Sequence, residues 1–285
     1  MKTHSKQLIE ENLYKELRSY FKNLYYENLG ISDWERICEP KVSGVTGEIL
    51  ASKLERHLTI KKQRILDIGC GVREFLISAS KRGATVFGID VDKQAIQLSK
   101  FRLIVNNIDA NLCIAVGESL PFRDHAFDIV TSFYVLEHVN DPARVIYEAL
   151  RVLKNGGIFY MCTPNSLFPY ETHYKLFYFP LLPKKLAKYY LRIRRRKPLL
   201  IQEINYITLP YILRILKRSP FHIEIRNIIE EEIRYKLNNI KLIKSRKRKI
   251  VARLVRLIRI PPYFLSLFAK EIVIIVKKQN SFSSA

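Results

Sequence analysis

From residue 64 onward, short runs of β-branched and apolar residues alternate with segments whose apolar positions recur every three to four residues. Arg64 to Ile68, Thr85 to Ile89, Leu112 to Val116, Phe127 to Thr131 and Gly157 to Cys162 read as buried strands. Phe75 to Arg82, Lys93 to Asn107 and Pro142 to Leu153 read as the helices between them. Strands alternating with helices imply a parallel sheet covered on both faces. Later, Thr208 to Ser219 has the pattern of a capped helix, Phe221 to Asn227 that of a strand, and Glu271 to Lys277 that of a final apolar strand.

Two segments, about 165 to 203 and 229 to 268, break this alternation. Each is too long for an ordinary connection, so each is expected to be an insert with structure or function of its own. The first 59 residues read as a helical cap, with aromatic clusters at Tyr20-Phe21 and Leu24-Tyr25-Tyr26 and the single tryptophan, Trp34. In the plain reading the cap packs on the sheet; in the sharper one it is a lid over the site. The expected organisation is a cap, 1–59, followed by an α/β domain, 60–285.

Charge changes this picture in one place. The net charge is +22, and residues 164 to 285 hold 27 Lys/Arg against 7 Asp/Glu, whereas residues 1 to 59 balance 9 against 9. The positive field therefore belongs to the part of the chain that carries the inserts. The four cysteines, Cys38, Cys70, Cys113 and Cys162, form no C-x-x-C pair, so neither a zinc site nor a disulfide framework is expected. The N-terminus lacks the apolar core of a secretion signal, and no run of 18 apolar residues occurs. A cytoplasmic protein, with reversible contact at the inner face of the membrane, is the resulting expectation.

The candidate chemistry starts at Asp67-Ile68-Gly69-Cys70-Gly71-Val72-Arg73-Glu74, a strand end running into a glycine turn. Such a turn brings backbone close to a ligand. A dinucleotide fingerprint needs a small residue three beyond the second glycine, where this chain has Glu74. Downstream, Val86-Phe87-Gly88-Ile89-Asp90-Val91-Asp92 puts a carboxylate at the end of the second strand, placed to accept ribose hydroxyls, with Asp92 as a helix cap.

Further blocks follow in order: Gly117-Glu118-Ser119-Leu120-Pro121-Phe122, Phe127-Asp128-Ile129-Val130, Leu136-Glu137-His138-Val139-Asn140-Asp141-Pro142, Arg151-Val152-Leu153-Lys154-Asn155-Gly156-Gly157 and Thr163-Pro164-Asn165. This succession resembles the class I S-adenosylmethionine-dependent methyltransferases, in the branch that includes ubiquinone-biosynthesis O-methyltransferases. The resemblance covers residues 60 to 165 strongly and 205 to 277 weakly. It implies a Rossmann-like seven-stranded sheet with the last strand antiparallel, and S-adenosylmethionine across the carboxyl ends of the strands. By position, it implies that Asp67, Gly69, Cys70 and Gly71 line the methionine and ribose part and that Asp90 holds the ribose hydroxyls. Val91 would flank adenine, Glu118 and Ser119 would lie near its edge, and Ser132 and Phe133 would close the site.

Three positions depart from the family pattern. Arg73 stands where a third glycine is common, as a solvated residue or as a cation aimed at the cofactor's carboxylate. Val116 replaces an acid near the adenine, so Glu118 or a backbone carbonyl would have to accept from its amino group. Asn155 replaces a turn proline.

Methyl transfer needs an acceptor aligned behind the sulfonium carbon, and in some cases a base. His138 and Glu137, just beyond the fourth strand, are the first candidates, against a structural role for His138 at a helix start. His173, in the first insert, is the second. No metal-ligand spacing links these histidines, and no metal is expected.

In the inserts, Lys185, Lys188, Arg192 and Arg195 recur at steps of 3, 4 and 3, as do Arg246, Lys249, Arg253 and Arg256, among apolar residues. On a helix each set forms a cationic stripe. Such helices suit an anionic membrane surface, where each cation is worth ~1 kcal/mol; the alternative is packing on the domain with solvated charges. Leu176 to Pro183 offers apolar residues for a greasy substrate or for the interface. The expected partner is a small or lipid-linked acceptor, methylated at oxygen. An RNA or protein methyltransferase is the rival, with nucleic acid disfavoured because aliphatic residues interleave the cations. A noncatalytic cofactor-binding scaffold is the third reading.

Overall fold

The computed structural model describes residues 2–72, 74–177, 181–240 and 245–279, and of residues 2–6 and Arg246 the backbone only. The cap comprises α1 (Lys2–Lys22), a π-helical turn (Asn23–Glu27), α2 (Trp34–Val42) and α3 (Val45–Glu55). The alternating region follows as β1 (Arg64–Ile68), α4 (Phe75–Lys81), β2 (Thr85–Asp90), α5 (Lys93–Val105), β3 (Asn111–Ile114), β4 (Phe127–Phe133), α6 (Pro142–Val152) and β5 (Leu153–Pro164). The remainder holds α7 (Lys184–Ile193), α8 (Leu209–Lys217), β6 (Ile223–Asn227), α9 (Ile228–Asn238), α10 (Arg246–Leu257), α11 (Pro262–Ser266) and β7 (Glu271–Lys278).

One seven-stranded sheet runs in the order β3-β2-β1-β4-β5-β7-β6. Strands β1 to β5 pair in parallel, and β7 is antiparallel to both β5 and β6. The order reverses between β1 and β4, which opens a crevice at the carboxyl ends of these strands. The observed strands match the expected ones to within a few residues, β5 being longer at both ends.

The period of two along each strand sorts apolar residues to opposite faces. Leu66, Val130, Phe159 and Ile274 pack with Val145, Ile146 and Leu150 of α6 and Ile212 and Leu216 of α8. Ile65, Ile129, Tyr160 and Ile275 pack with Leu50 and Leu54 of α3 and Phe75 and Leu76 of α4. Only α3 of the cap therefore covers the sheet. In a third cluster, Leu17, Phe21 and Tyr25 of the cap meet Ala95 and Leu98 of α5, Val72 of the glycine turn, and Tyr174, Ala187 and Leu191 of the first insert.

The cap is fastened to the glycine turn by Arg102, on α5 and 2% exposed. Its guanidinium donates to the carbonyls of Val72, Lys41 and Val42 and pairs with Glu74 at 2.9 Å. Burial pulls its pKa down and the Glu74 charge opposes that pull. A buried guanidinium needs all these partners, since an unpaired one is costly. Glu74, bulky where a dinucleotide site would want a small residue, thus has a structural use. Nothing in the sequence pattern singled out Arg102.

The inserts differ from each other. Helix α7 buries Ala187 and Leu191 against the cap, and it ends before Arg195, whose φ of +54° lies outside the helix, so the expected four-residue stripe is cut to three. Leu176 is buried there too, while Phe177 is 74% exposed; Tyr178, Phe179 and Pro180 lie outside the described residues, as does Arg73. Among the described residues, no helix is long and apolar enough to cross a membrane.

Replacing Arg102 by Met should remove the fastening and leave Glu74 and three carbonyls without it. The expected loss is about 3 kcal/mol of unfolding free energy, read from urea denaturation; an unchanged midpoint would show that the cap is held by apolar contact alone.

Candidate active site

The crevice is built first by the turn after β1. Gly69 and Gly71 have φ of +66° and +50°, which L residues adopt only with strain. A Cβ on Gly69 would also stand 2.4 Å from Val135 Cγ2, so the turn and the chain after β4 fit only around a glycine. Among the described residues, a Cβ on Gly71 would meet only Asp90 Oδ2, at 3.9 Å, so that a ligand can approach backbone there.

Asp90, at the end of β2, accepts from the Gly71 amide at 2.7 Å through Oδ2 and from the Asp92 amide at 2.9 Å through Oδ1. Each carboxylate oxygen has a second lone pair, so ribose hydroxyls can still be accepted. Asp92 caps α5 by accepting from Gln94 and Ala95, and takes a further bond from Tyr20 of the cap at 2.8 Å. Asp67 is buried, with Oδ1 accepting from Thr131 Oγ1 at 2.7 Å.

Other expected residues divide. Val91, like Ile114 and Val116 on the neighbouring strand and just after it, is a large apolar side chain left exposed at the carboxyl edge of β2 and β3, where a flat ring could lie against it. Ser119 is exposed at the same edge. Ser132 Oγ is buried and has no hydrogen-bond partner among the described residues, which suits a ligand atom. Cys70 contributes only its amide, which donates to Ile89 O at 2.8 Å, because its sulfur packs in the core beneath Gly88.

Two expectations are corrected. Phe133 does not close the site: its ring is fully buried against Phe75 and Tyr160, at centroid distances of 4.9 and 5.6 Å. Glu118 does not turn toward an adenine edge; Oε1 accepts from the amides of Asn140 and Asp141 at 2.8 and 3.3 Å and so braces the turn before α6. The replacement acceptor for an amino group beside Val116 therefore falls to backbone.

The second half of the site lies after β4. Tyr134, with φ of +59°, turns the chain out of the strand, and its hydroxyl donates to Glu271 at 2.8 Å. That turn seats Val135 on Gly69 and carries Glu137 and His138 toward the first insert. Glu137 is buried and accepts from Thr163 Oγ1 at 2.9 Å. His138 is exposed, with Nε2 at 3.1 Å from His173 Nε2. His173 Nδ1 is 2.6 Å from Glu171 Oε1, while Glu171 Oε2 accepts from the Tyr174 amide at 2.6 Å.

The fold thus joins histidines 35 residues apart and adds Glu171, a buried carboxylate that the sequence reading did not single out. Burial disfavours the His173 imidazolium, but the bond to Glu171 and the charges of Glu171 and Glu137 outweigh it, so its pKa is raised. Lys175 acts weakly in the opposite sense. A pocket beside His173 is lined by Glu137, Asn165, Tyr170, Ile204 and Tyr206. Against the expectation from spacing alone, Glu137, His138 and His173 each bring one ligand atom within 4.8 Å of the others, a set that could hold a metal ion.

Residues 66–161 match the methyltransferase domain family. The ubiquinone biosynthesis O-methyltransferase of Neisseria meningitidis serogroup C is 29% identical over 137 residues, 47% of this chain and 57% of the relative. The enzyme of that name from Coxiella burnetii is 29% identical over 185 residues, 64% of this chain and 77% of the relative. The chain thus spans a little over half the length of the first of these. The S-adenosylmethionine dependent methyltransferase of Mesorhizobium loti superposes with a TM-score of 0.51 at 19% identity, over 79% of this chain and 96% of that one, a likeness of fold. With its sheet order, its last strand antiparallel and its match over residues 66–161, the chain carries a methyltransferase domain of the class I, S-adenosylmethionine-dependent type.

Proposed function

We propose that the protein transfers a methyl group from S-adenosylmethionine to an oxygen of a small or lipid-linked acceptor. The observation that carries this reading is the meeting, at one edge of the sheet, of the Gly69–Gly71 turn with Asp90 and of the His138–His173–Glu171 chain. The approach to Gly71, crowded by no described residue but Asp90, the buried Ser132 hydroxyl and the exposed apolar side chain of Val91 fit the cofactor. When bound, it supplies an electrophilic methyl group on a sulfonium. The relatives' names support oxygen as the atom methylated.

In this reading the chain's own residues move one proton. Glu171 fixes the Nδ1–H tautomer of neutral His173, so its Nε2 accepts from His138 Nε2–H and leaves His138 Nδ1 a lone pair. His138 Nδ1 takes the acceptor's hydroxyl proton while the Nε2 proton passes to His173. The resulting imidazolium rests against Glu171 and Glu137. The acceptor oxygen keeps its electron pair for the new carbon–oxygen bond, and the proton leaves to solvent after transfer. Tyr170, Ile204 and Tyr206 line the small pocket beside His173.

For the cofactor half, Asp67→Ala and Asp90→Ala should each weaken S-adenosylmethionine binding about tenfold or more in calorimetry. Undiminished affinity in both would remove the site assignment.

For the proton relay, His173→Ala should lower kcat by roughly 10²–10⁴-fold. The base must be neutral, so activity should rise with pH through an ionisation above the ordinary histidine value. Glu171→Gln removes the partner that raises this pKa, so the acidic limb should move to lower pH by about 1 unit or more. A limb that stays in place would contradict the relay.

The two imidazoles and Glu137 favour a second reading, in which they hold a divalent cation. Activity that survives EDTA supports the relay, whereas activity lost to EDTA and restored by one cation reassigns the three residues to a metal.

A further inference from the structure

The connection from β6 to β7 is the largest part of the molecule that methyl transfer does not use. β6 ends at Asn227 and β7 begins at Glu271, which pairs with Pro164 at the end of β5. Both ends of the connection therefore lie at the carboxyl edge of the sheet, where the candidate site lies.

Helix α10 is the exposed part of this arm. Among its described side chains Ala252 alone is buried, with Lys249 and Val255 half-buried. Ile250, Val251, Leu254, Leu257 and Ile258, the last in the helix cap, are 50 to 78% exposed. At ~100° per residue these five share an arc of ~120°. Arg253 and Arg256 lie beyond one border of the arc, Arg248 and Arg259 beyond the other, and Lys247 within it. None of these five cations forms an ion pair among the described residues. Further along the arm, Phe264 of α11 and Phe268 just beyond it are half exposed, their rings 5.6 Å apart.

The root of the arm is fastened to the pocket wall. Asn165, which lines the pocket, donates through Nδ2 to Leu267 O and Ala269 O at 2.7 and 2.8 Å, and through its amide to Lys270 O at 3.1 Å. Lys270 Nζ stands over the Tyr170 ring, another pocket wall, at 5.6 Å.

Five aliphatic side chains on one arc of α10, with two half-exposed phenylalanines in the same arm, call for a cover. Nucleic acid would meet the cations and leave the aliphatics wet. A second copy of the chain would cover the aliphatics but bring another net +22 toward the first. A bilayer with anionic headgroups satisfies both sets at once, apolar residues entering the interface and Lys/Arg meeting phosphate.

We propose that α10 and α11 form a docking arm that lies flat on a membrane surface rich in anionic phospholipid. The arm would hold the pocket at the interface, where a lipid-linked acceptor presents its polar head. This last clause rests on the methyl-transfer reading; the docking itself does not.

The test is co-sedimentation of the full chain with phosphatidylcholine vesicles, with and without phosphatidylglycerol, alongside calorimetry of S-adenosylhomocysteine binding on the same samples. Binding is expected with phosphatidylglycerol and should fall with added salt. Leu257→Ser with Ile258→Ser, and separately Arg253→Glu with Arg256→Glu, should each weaken it at least tenfold with S-adenosylhomocysteine affinity unchanged. These side chains are exposed, and the S-adenosylhomocysteine affinity reports that the fold is kept. Absence of vesicle binding, binding unaltered by either pair, or a dimer that Leu257→Ser with Ile258→Ser dissolves would overturn the proposal. Vesicle binding without S-adenosylhomocysteine binding would sink the methyl-transfer reading and leave the arm standing.

Discussion

The 2.7 Å hydrogen bond from the Gly71 amide to Asp90 Oδ2 ties the end of β1 to the end of β2 at the place where the strand order reverses. Much of the site depends on the turn it holds. On one side, Gly69 leaves room for Val135 and thereby sets where the chain after β4 can run. On another, the carbonyl of Val72 receives Arg102, through which the cap and α5 are fixed to the turn. A displaced turn would therefore disturb the cofactor slot, the path to His138 and the seat of the cap together.

The acceptor side is assembled differently. Tyr134 turns the chain out of β4 with positive φ, and Glu137 and His138 reach the first insert because of that turn. The insert is itself held by apolar packing of Tyr174, Ala187 and Leu191 on the cap. Glu171 then orients His173 toward His138. The cap is thus neither a plain cover of the sheet nor a separate lid. Its first two helices support the insert that supplies half of the candidate base.

The two inserts, alike in the spacing of their cations, have unlike physical roles. Ala187 and Leu191 lie on one face of α7 and are buried in the same apolar cluster as Leu17, Phe21 and Tyr25 of the cap, so that helix is packed. Helix α10 buries Ala252, half-buries Lys249 and Val255, and leaves Ile250, Val251, Leu254 and Leu257 outside. Periodicity of charge reports that a helix has two faces; it does not report which face has something to pack against.

The sequence by itself determined the strands from β1 to β5, their parallel pairing, the glycine turn, Asp90 at the end of β2 and the capping by Asp92. These follow from local periodicity, from steric demands on the backbone and from short-range hydrogen bonds, all written in neighbouring residues. Tertiary structure decided what depends on contacts across long stretches of chain. Phe133 became core because Phe75 and Tyr160 surround it, and Glu118 turned to the amides of Asn140 and Asp141 because they reach it first. His138 met His173, and Arg102 met three carbonyls and Glu74, only because the cap and the first insert pack together. No spacing in the sequence encodes those distances, because they are set by the apolar surfaces that pack once the whole chain has folded.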